Sequence, residues 1–154
     1  MLIYFAGPLF NAAEKQFNLQ LTEKLEALGY EVFLPQRDGI EQEEQQTTDA
    51  ASKERLQQEI FHLDKSKVFE ADIFLFVLDG RGPDEGACME LGLAYAQKEL
   101  QKPDKILIGL QTDVRAAFPD AKLNPMLKIP LTYIAEDEEA LLRKLKAYST
   151  DDTD

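Results

Sequence analysis

Ile73-Phe74-Leu75-Phe76-Val77-Leu78-Asp79-Gly80-Arg81-Gly82-Pro83-Asp84-Glu85-Gly86-Ala87-Cys88-Met89-Glu90-Leu91-Gly92 decides the fold. Six apolar residues without alternation read as a strand covered on both faces, and Gly80, Gly82 and Pro83 punctuate its end. The alanine- and leucine-rich segment that follows, as far as Leu100, reads as a helix. A buried strand feeding a helix through a short turn is the repeating unit of parallel α/β sheets. Glu90 stands out within it. Its neighbours at helical spacing are Gly86, Ala87, Leu93 and Ala94, so an acid interrupts a small, apolar face near a helix N-terminus.

Working outward, the same alternation recurs. Leu2–Ala6 reads as a first strand stopped by Gly7-Pro8, and Asn11 is placed to cap a helix from about Ala12 to Leu28, with Gly29 just beyond its end. A strand over Tyr30–Leu34 closes at Pro35, and 36 to about 50 is a polar stretch without periodicity, expected to be a loop. A second helix covers about Ala51 to Glu70, with Leu56, Ile60, Leu63 and Val68 on its stripe and Asp64 beside them. Gly92 in the third helix costs roughly 1 kcal/mol against alanine, which close packing onto a sheet would justify. Lys105–Leu110 is a fourth strand, 111–128 a loop with one turn at Val114–Phe118, Ile129–Ile134 a fifth strand and 136–147 a last helix. The expectation is an α/β fold: a five-stranded parallel sheet flanked by helices, with right-handed crossovers. One domain over 1–148 is followed by an acidic tail, 149–154, expected to be frayed.

At 154 residues the chain can bury about two-thirds of its unfolded surface. With 17 basic and 29 acidic residues its formal charge is −12, which repels nucleic acid and anionic membrane and favours a small, neutral substrate. No apolar run approaches the ~20 residues of a membrane span, the opening Met1–Phe5 lacks a charged signal head, and one cysteine excludes an internal disulfide. A cytoplasmic protein is expected.

Ligands of parallel sheets bind beyond the C-terminal ends of the strands, where Asp64, Asp84 and Glu90 are candidates to converge. Side chains lean toward a helix N-terminus, so Glu90 tilts back toward the strand ends, and the helix dipole favours its ionised form. An ionised, desolvated carboxylate suits attack at a sugar C1, and an acid of raised pKa suits protonation of the leaving group. Gly86 would admit a ligand close to the backbone. Each has a plainer reading as well. Asp84 and Glu85 are ordinary capping acids, Asp64 a solvated helical acid, and Tyr4 a core aromatic. His62 reads as a surface residue and Cys88 as a small buried group; neither has partners at metal-ligand spacing. Gly80, Gly82 and Gly86 do not form a dinucleotide fingerprint, and their flanking acids would repel a pyrophosphate.

Ile3-Tyr4-Phe5-Ala6-Gly7-Pro8, Asp64 ahead of Ala71-Asp72, Asp84-x-Gly86-x-x-x-Glu90-Leu91-Gly92 and Asn124-Pro125-Met126-Leu127 together resemble the nucleoside 2-deoxyribosyltransferase family. The resemblance implies a flavodoxin- or Rossmann-like fold and an enzyme of nucleotide salvage that needs no cofactor and no metal. It implies that Glu90 attacks C1′ of a 2′-deoxynucleoside, expels the base and forms a 2-deoxyribosyl ester that a second base resolves with net retention. Asp84 and Asp64 match acids that bind sugar and base and assist proton transfer, and Tyr4 matches the tyrosine that orients the nucleophile. Gly7, Phe10, Gln36, Asp38 and Gly86 fall at substrate-binding positions, with Asp38 the foremost base contact. Arg37 departs from the acidic or amide residue expected there. Asn124 and Met126 match residues supplied by a neighbouring subunit, so the implied partners are a deoxynucleoside, a free nucleobase and further copies in a dimer-based homo-oligomer. The alternatives are an N-glycoside hydrolase of deoxynucleosides or their 5′-monophosphates, for which Gly7–Asn11 offers no serine or cation, and a non-catalytic nucleoside-binding domain.

Overall fold

In the computed structural model, residues 1–41, 46, 48–113 and 122–151 are described, with side chains through 148. Five parallel strands form one sheet: β1 (Leu2–Ala6), β2 (Glu31–Phe33), β3 (Ile73–Val77), β4 (Ile106–Leu110) and β5 (Tyr133–Ala135), in the order β2-β1-β3-β4-β5. Every residue of β1 and β3 is buried, as unbroken apolar runs require when helices cover both faces. The order reverses between β1 and β3, the switch point at which such sheets open a crevice.

On one face, α1 (Ala12–Ala27) and α6 (Glu138–Asp151) close a core of Ile3, Phe5, Leu21, Leu25, Leu75 and Leu141. On the other, α3 (Ala50–Glu70) and α4 (Glu85–Leu100) cover Tyr4, Phe74, Phe76, Leu91 and Ala94. Local sequence sets the ends. Asn11 and Glu14 form a reciprocal capping box on α1, and Gly29 follows its end with φ +90°. Asp49 caps α3 through the Ser52 N–H, and Asp84 caps α4 through the Ala87 N–H.

Four expectations change. The segment from 36 does not begin as a loop: Pro35–Asp38 is a short helix, α2, because Pro35 presets φ at its first position. The second strand is therefore trimmed to Glu31–Phe33. Pro125–Lys128 is another short helix, α5, capped by Asn124, so Ile129 leaves that helix 75% exposed and the fifth strand starts only at Tyr133. Gly92 is not packed on the sheet; it is exposed, and a Cβ there would meet nothing within 4 Å. The last helix reaches Asp151, three residues into the segment expected to fray, while 152–154 and the turn expected at Val114–Phe118 lie outside the described residues.

Candidate active site

Tyr4 anchors the site. Its ring lies between Phe33 and Phe74, with centroids 5.6 and 5.7 Å away, on the sheet face that α3 and α4 cover. The residue is wholly buried, yet its hydroxyl has no partner of full hydrogen-bond geometry. The Glu90 carboxyl is near enough to be stabilised by a hydrogen bond from it. Burial drives this hydroxyl far above the usual phenol range, and the charges of Glu90, Asp64 and Glu41 add to the effect. It therefore stays protonated and can only donate to those acids.

The two helices present the acids from different parts of their lengths, Glu90 toward the start of α4 and Asp64 toward the end of α3. α4 starts at the C-terminal end of the strands and runs back over them, so Glu90 lies about 7–8 Å along it. α3 runs the same way, and Asp64 sits about 9 Å before its end. Burial pushes Glu90 up to about 7; the Tyr4 bond opposes this, while Asp64, Asp84 and Glu41 reinforce it. Burial also raises Asp64 to about 7, with the charge of Glu41 adding to it, and Asp64 Oδ1 is buried without a partner. Two buried carboxyls that titrate near neutrality behave as one coupled pair. Only Glu90 receives the tyrosine, which favours its charged form against the burial that disfavours it.

Asp84 does serve as the helix cap, its Oδ2 accepting the Ala87 N–H at 2.9 Å, and its charge still reaches Glu90. A Cβ at Gly86 would press on Asp84 Oδ2 at 3.2 Å, so the glycine leaves that carboxylate room. Gly7 permits a close approach of backbone to strand, since a Cβ there would meet Val77 Cβ at 2.9 Å. Phe10 is 72% exposed on the loop after β1. Glu41, unremarked in the sequence, joins the cluster from just beyond α2.

The expected base-reading residues are engaged elsewhere. Arg37 holds Asp38 through Nε–Oδ1 at 2.8 Å and Nη2–Oδ2 at 2.9 Å, and the Leu34 N–H adds a bond of 2.8 Å. Burial works against the Asp38 charge, but these bonds outweigh it and hold its carboxyl below the usual range. Arg37 also bonds the Val32 carbonyl and pairs with Glu26, so it covers the outer edge of β2. Asp38 lines a cavity of about 410 Å³ with Phe33, Arg37, Leu63 and Lys67, and neither Glu90, Asp64 nor Tyr4 lines it. Gln36 is buried, accepts from Asn18 Nδ2 at 2.9 Å and donates to the Lys15 carbonyl at 2.8 Å, tying α2 to α1. Asn124 spends its side-chain oxygen on the Met126 N–H, and Met126 is 78% exposed. His62 is exposed, and Cys88 is half-buried against the α3–α4 core. Among the described residues no group of three or more His, Cys, Asp and Glu side chains could hold a metal ion.

The sequence model of the nucleoside 2-deoxyribosyltransferase family matches residues 3–145. The chain is a member of that family. Two solved structures show how far the likeness extends. A conserved protein from Enterococcus faecalis V583 is 26% identical with a TM-score of 0.71, over 96% of this chain and 98% of that one. A 2-deoxyribosyltransferase from the psychrotolerant Bacillus psychrosaccharolyticus is 20% identical with a TM-score of 0.72, over 92% and 90%. At that identity the second likeness speaks for the fold alone. A search of the curated proteins gives no match. No described helix is long and apolar enough to cross a membrane.

Proposed function

We propose that the protein transfers the 2-deoxyribosyl group between nucleobases of 2′-deoxynucleosides, with Glu90 as nucleophile. The observation that carries this reading is the asymmetric pair: Glu90 supported by a buried tyrosine donor, and Asp64 left with a buried oxygen that nothing neutralises. A Glu90 carboxylate oxygen bonds to C1′ as the C1′–N bond breaks, and the electron pair leaves on the base nitrogen. Asp64 delivers its proton to that base. The deoxyribosyl ester then yields to the nitrogen of a second base, whose proton returns to Asp64, and Glu90 leaves as carboxylate. Two inversions at C1′ give net retention. Asp84, at the mouth of the α4 N-terminus, binds the sugar. Tyr4 orients Glu90 and stabilises its charge before attack and after release. Asn124 and Met126 serve the site of a neighbouring copy in a homo-oligomer.

Hydrolysis of 5′-monophosphates is less well served. The N-terminus of α1, the nearest anion-binding feature on the first loop, is filled by the chain's own Glu14, whose Oε2 accepts the Phe10 and Asn11 N–H groups at 2.9 and 3.2 Å. Incubation with deoxyinosine and adenine tests the reading. Deoxyadenosine should form, Glu90→Ala should lower its rate by about 10³-fold or more while circular dichroism stays unchanged, and an active Glu90→Ala protein would sink the mechanism. Release of deoxyribose without exchange would make the protein a hydrolase.

A further inference from the structure

The crevice at the switch point has a wall that the steps above do not use. On the α1 side of the sheet a cavity of about 220 Å³ opens between the loop after β1 and the turn after β3. Pro8, Phe17 and Val77 give it apolar surface, and Glu14, Asn18 and Asp79 give it polar surface. Among the described residues no lysine, arginine or histidine lines it. Asn18 is buried, and its amide hydrogens are already donated to the Pro8 carbonyl and to Gln36 Oε1, both at 2.9 Å.

In doubly wound sheets a ligand phosphate lies here, against the N-terminus of the first helix. This chain puts its own anion in that place. Glu14 Oε2 accepts the N–H groups of both Phe10 and Asn11, at 2.9 and 3.2 Å, although a capping box needs only the second. From the β3 side Asp79 adds another carboxylate. It accepts the Thr112 and Asp113 N–H groups at 2.7 and 2.9 Å and the Thr112 hydroxyl at 2.6 Å, so it is held in place at the rim. The lining therefore combines two carboxylates with donors that are already spent. A hydroxyl can donate to such a rim, whereas a phosphate, which has only acceptors and negative charge to offer, is repelled. Size is not the barrier, since a water takes only ~30 Å³ of liquid volume.

We propose that Glu14, with Asp79 at the same rim, is a specificity-determining residue: the switch-point cavity receives the uncharged hydroxymethyl end of a 2′-deoxynucleoside and turns away the same molecule carrying a 5′-phosphate. The turn from Asp79 to Asp84 links this rim to the acid that binds the sugar in the transferase reading. The identity of the ligand rests on that reading, whereas the bias against phosphate does not. Glu14→Gln isolates the charge, because glutamine serves a capping box as glutamate does and leaves an oxygen for the Asn11 N–H.

The test is calorimetry on the full chain with deoxyinosine and with deoxyinosine 5′-monophosphate. The unaltered protein should bind the nucleoside about tenfold tighter or more. In Glu14→Gln the ratio of the two affinities should move toward the monophosphate by about tenfold. Glu139→Gln removes an exposed acid that pairs with Arg143 on α6, changes the net charge by the same amount, and should leave the ratio where it was. A ratio that Glu14→Gln does not move overturns the proposal, as does one that Glu139→Gln moves equally far. If Glu14→Gln fails to fold, Asp79→Asn decides in the same way, since it keeps an acceptor for the two N–H groups and a donor for Thr112 Oγ1. Base exchange between deoxyinosine and adenine is followed alongside. A shifted ratio without exchange upholds the bias against phosphate and defeats the transferase reading, whereas exchange with an unmoved ratio keeps that reading and defeats this proposal.

Discussion

At the N-terminal edge of the sheet, Lys105 is wholly buried between the ends of α3 and α4, and its ammonium donates to the carbonyls of Val68 and Ala71 at 2.5 and 2.6 Å and to Gln97 Oε1 at 3.0 Å. Tyr4, equally buried under the same two helices, has a hydroxyl with no fully formed bond, and Asp64 beside it keeps an oxygen with no partner. One turn of α3 separates Asp64 from Val68, and two turns of α4 separate Glu90 from Gln97. Within about 6–10 Å, then, one helix pair handles buried polar groups in two ways. At the closed end Lys102 adds bonds to the Glu70 and Ala71 carbonyls and to Asp72, and Lys98 to those of Pro103 and Lys105. These cations satisfy carbonyls that a helix end would otherwise leave orphaned, and they sit where the helix dipole is negative. At the open end each unmet group costs about 1–3 kcal/mol. A fold tolerates that where a substrate will later supply the partner.

The contrast can be broken by removing its satisfied half. Lys105→Met keeps much of the volume but deletes three donated bonds, and should cost about 2–4 kcal/mol in urea denaturation at pH 7. A loss below about 0.5 kcal/mol would mean that the closed end is no better satisfied than the open one. Burial pushes the Lys105 ammonium down to about 8, so at pH 7 the cation is still the main form being tested.

The unsatisfied half should behave in the opposite sense. Glu90 in the folded chain holds its proton up to about 7 against an ordinary 4.5, so between those values the folded state binds more protons than the unfolded one. Stability contributed in this way is fully present below pH 4.5 and is lost as pH rises through 7. Asp64 acts in the same direction from a lower starting value. Glu90→Gln should therefore stabilise the protein by about 1–3 kcal/mol at pH 8 and far less at pH 4, read from urea midpoints. Equal effects at both pH values would show that Glu90 is solvated and would remove the comparison's open half.

The smallest expected effect belongs to neither end. Gly92 lies between them on an exposed face of α4, and Gly92→Ala should stabilise the chain by about 0.5–1 kcal/mol without altering exchange. Lost activity with preserved stability would place a second copy against that face.

Much of the architecture was legible because its causes are local. Apolar runs without alternation mark strands buried on both sides, and Asn11, Gly29 and Asp84 mark helix ends by chemistry that acts over a few residues. α1 shows where that legibility ends. Its buried polar positions are Asn18 and Thr22, while Leu19 is 41% exposed, because Asn18 is needed to bond the Pro8 carbonyl and Gln36. A stripe of leucines cannot reveal such a partner. α2 was missed because Pro35 reads equally well as the end of a strand and as the start of a helix. Asp38 looked available until Arg37 closed on it.

The sequence by itself determined the parallel sheet, its helical layers and the oddity of an acid at Glu90, since hydrophobic period and capping chemistry are properties of neighbouring residues. Only the tertiary structure decided that Tyr4, Asp64 and Glu90 meet and that burial lifts both carboxyls to about 7. Those outcomes depend on which charges share a desolvated space. The residues concerned are 26 or more positions apart, and no local pattern records their meeting.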